Sequence, residues 1–163
     1  MNVDAMLRVL NEEQVDYLLI GGMNFLIRHL PELTFDVDIW ARDEEENLRR
    51  LNRALRRLGA QWGRTEAEWL PVPEDPRWLE WQSVFCLTTD HGALDIFRGV
   101  RGLEGQFADC KARSVRAETA AGVACPSLSD RDMLACQEAL PPNEQKTRRM
   151  EVLREAIRRS ETQ

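Results

Sequence analysis

Three aspartates carry the chemistry that this sequence offers most clearly, and two of them form a pair. Asp36 and Asp38 stand two residues apart within residues 34–40, whose alternating pattern is typical of a β-strand. Side chains at this spacing project from one face of a strand, where their like charges repel unless a cation lies between them. Carboxylate oxygens suit Mg²⁺ or Mn²⁺. The pair predicts a divalent metal site or, as the alternative, an edge strand with two carboxylates on its solvent face.

Asp95 is the third candidate ligand. It lies among apolar β-formers in residues 93–100, which are predicted to return from a tight turn at residues 90–92 as the second strand of a hairpin. A carboxylate in such a strand is unfavourable unless the face it projects from contacts a polar or charged group. If this strand lies beside residues 34–40, all three carboxylates converge, as they do in two-metal sites for phosphoryl transfer.

A glycine pair precedes these acids. Gly21 and Gly22 lie between a predicted strand at residues 15–20 and a predicted helix at residues 23–30, so the expected order is strand, glycine turn, helix. Without side chains, backbone N–H groups there could approach an anion at the positive end of the helix. The pair could cradle phosphates, and the simpler alternative is a turn.

The elements that position these residues follow from apolar periodicity. Further helices are predicted at residues 3–13, 43–58, 130–139 and 143–159, and a further strand at residues 78–89. Residues 61–77 predict an irregular connection or a weak hairpin, and residues 111–125 have scattered β-character that ends at Pro126. This order predicts an α+β domain with a mixed sheet.

Composition narrows the function classes. The chain has 163 residues, of which 43% are hydrophobic and 31% charged, so a single folded domain is expected. A net charge of −6 argues against a nucleic-acid binder that works by bulk electrostatics. The four cysteines form no CxxC pair, which disfavours zinc, and no segment is apolar enough for a signal peptide or a membrane span. We therefore expect a cytoplasmic protein with reduced cysteines and no membrane partner.

The order Gly-Gly, short helix, Thr-x-Asp-x-Asp and later strand Asp resembles the nucleotidyltransferase superfamily of the DNA polymerase β fold. Within it, the chain is most similar to the small prokaryotic nucleotidyltransferases that include abortive-infection-type toxins. The resemblance covers residues 1–100 and, more loosely, the tail. It implies a nucleotidyltransferase-like mixed sheet flanked by helices in residues 1–126, followed by C-terminal helices packed on that core in residues 127–163.

The resemblance also implies roles. Gly21 and Gly22 would hold the triphosphate of an NTP, Asp36 and Asp38 would bind Mg²⁺ or Mn²⁺, and Asp95 would complete the metal site and help activate the acceptor hydroxyl. The reaction would transfer a nucleoside monophosphate to a hydroxyl of a protein, an RNA or a small molecule. Three other residues are candidates for nucleotide contact, with local pairing, capping or a solvated helix position as the alternative: Asn24, Arg28 and Thr34.

Departures from the family pattern keep a second hypothesis open. Relatives commonly have an arginine where this chain has Glu32, and an acid there would repel triphosphate if it faced the site. Gln137 and Glu138 stand where relatives tend to have a lysine, and Thr147 replaces an aspartate after Lys146. The alternative is therefore a catalytically inactive binding module or a partner subunit, for example in a toxin–antitoxin or defence system.

Surface residues leave two further questions open. The arginines of the helices at residues 43–58 and 143–159 are predicted to be solvated, because acids are interspersed among them, with docking of an RNA or protein acceptor as the alternative. The tryptophans at positions 62, 69, 78 and 81 are predicted to pack in the core or loops, with base stacking as the alternative.

Overall fold

Apolar residues at helical and alternating spacing build two helix layers around a central mixed sheet. A computed structural model describes residues 1–162. Its α-helices are α1 (Val3–Glu12), α2 (Gly21–Arg28), α3 (Glu45–Arg57), α4 (Phe107–Ala112), α5 (Asp130–Glu138) and α6 (Thr147–Glu161). Its strands are β1 (Tyr17–Ile20), β2 (Asp36–Ala41), β3 (Gln61–Trp62), β4 (Leu70–Pro71), β5 (Val84–Thr89), β6 (Gly92–Phe97), β7 (Val115–Glu118) and β8 (Ala124–Ser127).

The sheet has the strand order β4-β3-β5-β6-β2-β1-β8-β7. The pairs β2–β6 and β1–β8 are parallel, and the other neighbours are antiparallel. This confirms the predicted α+β class with a mixed sheet flanked by helices. The parallel pairing of β2 with β6 is the feature that matters for the site, because it sets the two acidic strands side by side.

The two faces of the sheet pack differently. On one face, α1 and α3 bury a large cluster that includes Leu10, Leu19, Ile39 and Leu55. On the other face, a smaller cluster joins Leu18, Ile20 and Trp40 to apolar residues of α2, α5 and α6. Because side chains alternate along a strand, Asp36 and Asp38 share the face of Trp40. The acids therefore lie on the same face of the sheet as the second helix layer.

The clearest helix prediction is confirmed in α3. Glu45 and Glu46 lie in its first turn and Arg56 and Arg57 in its last, which complements the helix dipole. Its apolar stripe is buried, and the chain leaves the helix through Gly59, whose φ of +65° suits glycine. The predicted hairpin also forms, since β5 pairs with β6 around residues 90–92.

Several predicted boundaries are wrong, each for a local reason. The strand predicted from residue 78 begins only at Val84, because Pro76 and the capping Asp75 start a short 3₁₀-helix over Pro76–Glu80. Between residues 61 and 77 the chain forms the weak hairpin alternative, β3 with β4. Pro126 lies within β8 and does not end it.

Two further features were missed or misplaced. The glycines around α4 concealed that helix, which has only six residues. Phe35 precedes β2 and is 76% exposed, although alternation over residues 34–40 would place it on the same strand face as the buried Val37 and Ile39. Among the described residues, no helix is long and apolar enough to cross a membrane.

Candidate active site

Three carboxylates meet on the open face of the sheet. Asp38 of β2 stands beside Asp95 of β6 in the parallel register, and Asp36 lies two residues earlier on the same face. One oxygen from each carboxylate lies within 4.8 Å of the other two, and all three residues are partly buried. The convergence expected from the strand patterns is therefore present, on backbone that the sheet holds rigidly.

Burial and mutual repulsion both disfavour the charged forms of Asp38 and Asp95. Burial, together with the charges of Asp36 and Asp95, raises the pKa of Asp38 to about 7, although Arg149 and Lys146 oppose the rise. Burial and the charge of Asp36 also raise the pKa of Asp95, against a hydrogen bond from Cys86. A set of three oxygen ligands with this much uncompensated charge fits a divalent cation such as Mg²⁺ or Mn²⁺.

Gly21 lies directly against this cluster. It is the first residue of α2, so no separate turn intervenes between β1 and the helix, contrary to the predicted glycine turn. Its φ is +66°, and a methyl group on its Cα would overlap the Asp38 carboxylate. Ile20 before it offers no side chain to cap the helix. Glycine is required here because both the backbone angle and the approach of Asp38 exclude a Cβ.

Gly22 and Thr34 lie beside one another. A Cβ on Gly22 would be 3.1 Å from the Thr34 hydroxyl oxygen and 3.4 Å from Nη2 of Arg149. The Thr34 hydroxyl donates to the Asp36 backbone carbonyl at 3.2 Å and lies 3.3 Å from the Asp36 carboxylate. The structure thus brings Gly21, Gly22 and Thr34 to the same place as the carboxylates.

Asn24 and Arg28 lie elsewhere. The buried Asn24 amide donates to the Leu128 carbonyl at 3.0 Å, and Arg28 donates to the same carbonyl at 2.8 Å. Arg28 also pairs with Asp130 at 2.8 Å. These contacts tie α2 to the start of α5, and a nucleotide role for the two residues stays a prediction that this geometry does not support.

Two cations reach the site, Lys146 just before α6 and Arg149 in its first turn, and the sequence patterns did not single them out as site residues. Arg149 was expected on a solvated face, but it is only 7% exposed. It pairs with Glu32, as does Lys146, whose Nζ lies 2.8 Å from Oε1 of that carboxylate. The available signal was spacing, since Arg149 stands one helical turn before the buried Leu153 and so shares its inward face.

Cys86 also lies next to the site. It stands opposite Asp95 in the β5–β6 register, with its Sγ 3.5 Å from Oδ2 of Asp95. Cys86 is exposed, but partial desolvation of the thiol, with the charge of Asp95, raises its pKa to about 11. Cys86 is therefore a neutral neighbour and weak donor to the carboxylate.

No protein-family model and no curated protein matches this chain. Solved structures do match it across most of its length. The solution structure of the antibiotic-resistance factor ANT(2'')-Ia has a TM-score of 0.52 and 13% identity, covering 93% of this chain and 78% of that one. Its crystal structure with adenylyl-2''-tobramycin has a TM-score of 0.53 and 13% identity, covering 93% and 83%.

A third match comes from Thermotoga maritima. The crystal structure of a candidate nucleotidyltransferase from that organism has a TM-score of 0.51 and 18% identity, covering 94% of this chain and 89% of that one. At these identities the likeness concerns architecture alone. The chain has the nucleotidyltransferase-like fold that its sequence motifs led us to expect.

Proposed function

We propose that this protein is a metal-dependent nucleotidyltransferase that moves a nucleoside monophosphate from an NTP to a hydroxyl acceptor. The observation that carries the proposal is the convergence of Asp36, Asp38 and Asp95 beside Gly21 on one face of the sheet. The fold shared with ANT(2'')-Ia and the Thermotoga maritima protein supports the same reaction class.

The residues of the chain would divide the work as follows. Asp36, Asp38 and Asp95 would hold Mg²⁺ or Mn²⁺, which supplies charge neutralisation for the phosphates and polarises the reacting phosphoryl group. Backbone N–H groups of Gly21 and Gly22 bind phosphate oxygens at the uncapped start of α2. Thr34 adds a hydroxyl beside them, whose single proton would have to turn from the Asp36 carbonyl to a phosphate oxygen.

Asp95 is proposed to accept the proton of the acceptor hydroxyl. Its raised pKa moves it towards the range in which a carboxylate works as a general base. The acceptor oxygen then forms a bond to the α-phosphorus of the NTP, the bond from that phosphorus to the bridging oxygen breaks, and pyrophosphate leaves. Catalysis consists of positioning and charge stabilisation, as in other phosphoryl transfers.

The acceptor is proposed only as a class. The complex of ANT(2'')-Ia with adenylyl-2''-tobramycin supports a small-molecule hydroxyl, since it places a nucleotidylated small molecule on this fold. Hydroxyls of a protein or an RNA, including targets of a toxin–antitoxin or defence system, belong to the same proposal, and the acceptor assay below separates them.

Calorimetric titration tests the donor site. ATP, GTP, CTP and UTP are titrated into the protein with and without Mg²⁺ or Mn²⁺, beside the Asp36→Asn/Asp38→Asn variant and the exposed Asp109→Asn control. We expect metal-dependent binding of at least one NTP that the double variant loses and the control keeps. Transfer of labelled nucleotide to candidate acceptors follows. If no NTP binds, the inactive binding module takes the place of the enzyme, and pull-downs then search for its partner.

A further inference from the structure

A three-residue charge cluster lies beside the glycine pair: Glu32, Lys146 and Arg149. We propose that Lys146 and Arg149 bind the phosphates of the donor nucleotide, and that Glu32 is an internal substitute for those phosphates, which holds both cations in the free protein. The inference rests on the proposed function, because it assigns the donor's phosphates to this cluster.

The contacts show a carboxylate engaged on both oxygens. Arg149 Nε lies 3.1 Å from Oε2 of Glu32, Arg149 Nη2 contacts Oε1, and Lys146 Nζ lies 2.8 Å from Oε1. With one acid and two cations, the cluster carries a net charge of +1. Burial alone would raise the pKa of Glu32, but hydrogen bonds from Arg149 and Lys146 outweigh it and lower the pKa.

Arg149 is fixed where a phosphate is needed. Its guanidinium packs 5.5 Å from the centre of the Phe25 ring, and Nη2 would lie only 3.4 Å from a Cβ on Gly22. It therefore lies against the first turn of α2, whose N–H groups are the proposed phosphate ligands. The charges of Arg149 and Lys146 also act on Asp38, where they oppose the rise in its pKa.

Glu32 has the properties of a removable partner. It lies in the connection between α2 and β2, whereas Arg149 is built into α6. The neighbours of Glu32 pack little, since Leu33 is 78% and Phe35 is 76% exposed. A buried guanidinium needs an anion, and one carboxylate satisfies it until a more highly charged phosphate chain competes.

This arrangement also accounts for the acid at a position where relatives commonly have arginine. Glu32 does not face the site as a free negative charge, because two cations from the C-terminal segment surround it. The positive charge missing from the α2–β2 connection is supplied by α6 and the residue before it. Glu32 then sets how strongly phosphate must compete for that charge.

The test measures phosphate affinity directly. Inorganic tripolyphosphate and Mg·ATP are titrated into the wild type, Glu32→Gln and Arg149→Gln. Removing the competing carboxylate is expected to tighten tripolyphosphate binding about tenfold, the effect of one charge-assisted hydrogen-bonded contact, and Arg149→Gln is expected to weaken it by about the same factor. Glu13→Gln is the matched control, because Glu13 also bridges two cations, Arg53 and Arg57, on α3. It should leave the affinity unchanged.

The possible outcomes distinguish the substitute role of Glu32 from the proposed function. Equal or weaker binding by a folded Glu32→Gln overturns the substitute role while leaving the proposed function intact. If Arg149→Gln unfolds, Arg149→Lys takes its place. It keeps the charge, so its affinity for tripolyphosphate should be weaker than that of the wild type but still measurable. Tighter tripolyphosphate binding by Glu32→Gln, with no transfer and no effect of the aspartate variants, supports the cation site and overturns the nucleotidyltransferase. If tripolyphosphate and Mg·ATP bind neither to the wild type nor to Glu32→Gln, both the substitute role and the proposed function are overturned.

Discussion

At the scale of single residues, the carboxylate of Asp38 favours metal binding at the proposed site but lowers the stability of the metal-free fold. It is partly buried between two other carboxylates, and the neighbouring cations compensate it incompletely, so its pKa rises to about 7. An ionised group in that position costs folding free energy when no metal is bound. The same uncompensated charge would favour a divalent cation.

The first prediction is a pH-dependent gain of stability in Asp38→Asn without metal. The folded pKa of about 7 exceeds the unfolded value of about 3.9, so the folded protein binds the proton more tightly. The contribution of Asp38 to stability should therefore fall as pH rises from about 4 to about 7, and its penalty is complete above that window. We expect the variant to be more stable than the wild type by about 1 to 2 kcal/mol at pH 8, and by almost nothing at pH 4.

Urea unfolding in EDTA at several pH values measures this difference. Asp109→Asn is the control, since Asp109 is exposed on α4, and its difference from the wild type should not vary through the same window. A stability difference for Asp38→Asn that stays constant with pH would contradict the electrostatic account of the cluster.

The second prediction separates the two reasons for glycine at position 21. Gly21 and Gly105 both have positive φ, at +66° and +71°, but a Cβ would strike Asp38 only at Gly21, and open space surrounds Gly105. Gly105→Ala should cost about 1 kcal/mol from backbone strain alone. Gly21→Ala should cost clearly more and should also abolish NTP binding. Chemical unfolding and calorimetry measure both effects, and equal losses in the two variants would mean that the contact with Asp38 is unimportant.

The sequence patterns anticipated these residues unequally. Alternation along a strand was enough to place Asp36 and Asp38 on one face, and the hairpin pattern made the arrival of Asp95 conditional only on strand order. Arg149 escaped because its partner Glu32 lies 117 residues earlier, and no local spacing encodes that encounter. Asn24 and Arg28 were candidates for nucleotide contact, but in the structure both contact Leu128. That contact depends on where α5 packs, which local spacing does not encode either.

At the scale of elements, α6 links packing to the proposed phosphate site. Its inward face carries Arg149, Met150 and Leu153, all buried, while Glu151 points to solvent. Leu153 belongs to the cluster that covers Leu18 and Ile20 of β1. The position of the Arg149 guanidinium therefore depends on how well this one helix docks.

The third prediction concerns Leu153→Ala. Removing a fully buried leucine side chain should lower the free energy of unfolding by about 3 kcal/mol. Because Arg149 lies one turn away, tripolyphosphate binding should weaken as well, measured at a temperature where the variant is folded. The exposed Glu151→Ala should change neither quantity. A destabilised variant with unaltered affinity would show that α6 packing does not position Arg149.

Elements with a strong local signal were predicted well, and those governed by turns were not. The dipole-matched charges and the apolar stripe of α3 fixed its type and its end at Gly59. The predicted strand begins inside the 3₁₀-helix Pro76–Glu80, because Trp78 and Leu79 are apolar like strand residues. A short apolar run without clear periodicity does not distinguish a strand from a helical turn.

At the scale of the whole molecule, the C-terminal segment completes both the sheet and a core. The predicted boundary after residue 126 falls within β8, which pairs with β1 and β7. Leu128 and Leu153 from beyond the boundary share a cluster with Leu18 and Trp40 from before it. Residues 1–126 alone would expose a large part of that face to water.

The last prediction is that the chain unfolds as one cooperative unit. Trp40 lies in the cluster shared with the C-terminal segment, and Trp78 lies in the cluster beneath α1 and α3, so tryptophan fluorescence reports on both faces. Thermal curves from fluorescence and from far-ultraviolet circular dichroism should therefore coincide. Residues 1–126 should give no cooperative transition, whereas residues 1–159 should unfold almost as the whole chain does, because Ser160, Glu161 and Thr162, which that truncation removes, are exposed. Two separate transitions, or a cooperatively folded 1–126 fragment, would mean that the C-terminal helices are a detachable unit. Arg149 and Lys146 would then reach the glycine pair only by docking, and phosphate affinity would depend on that equilibrium.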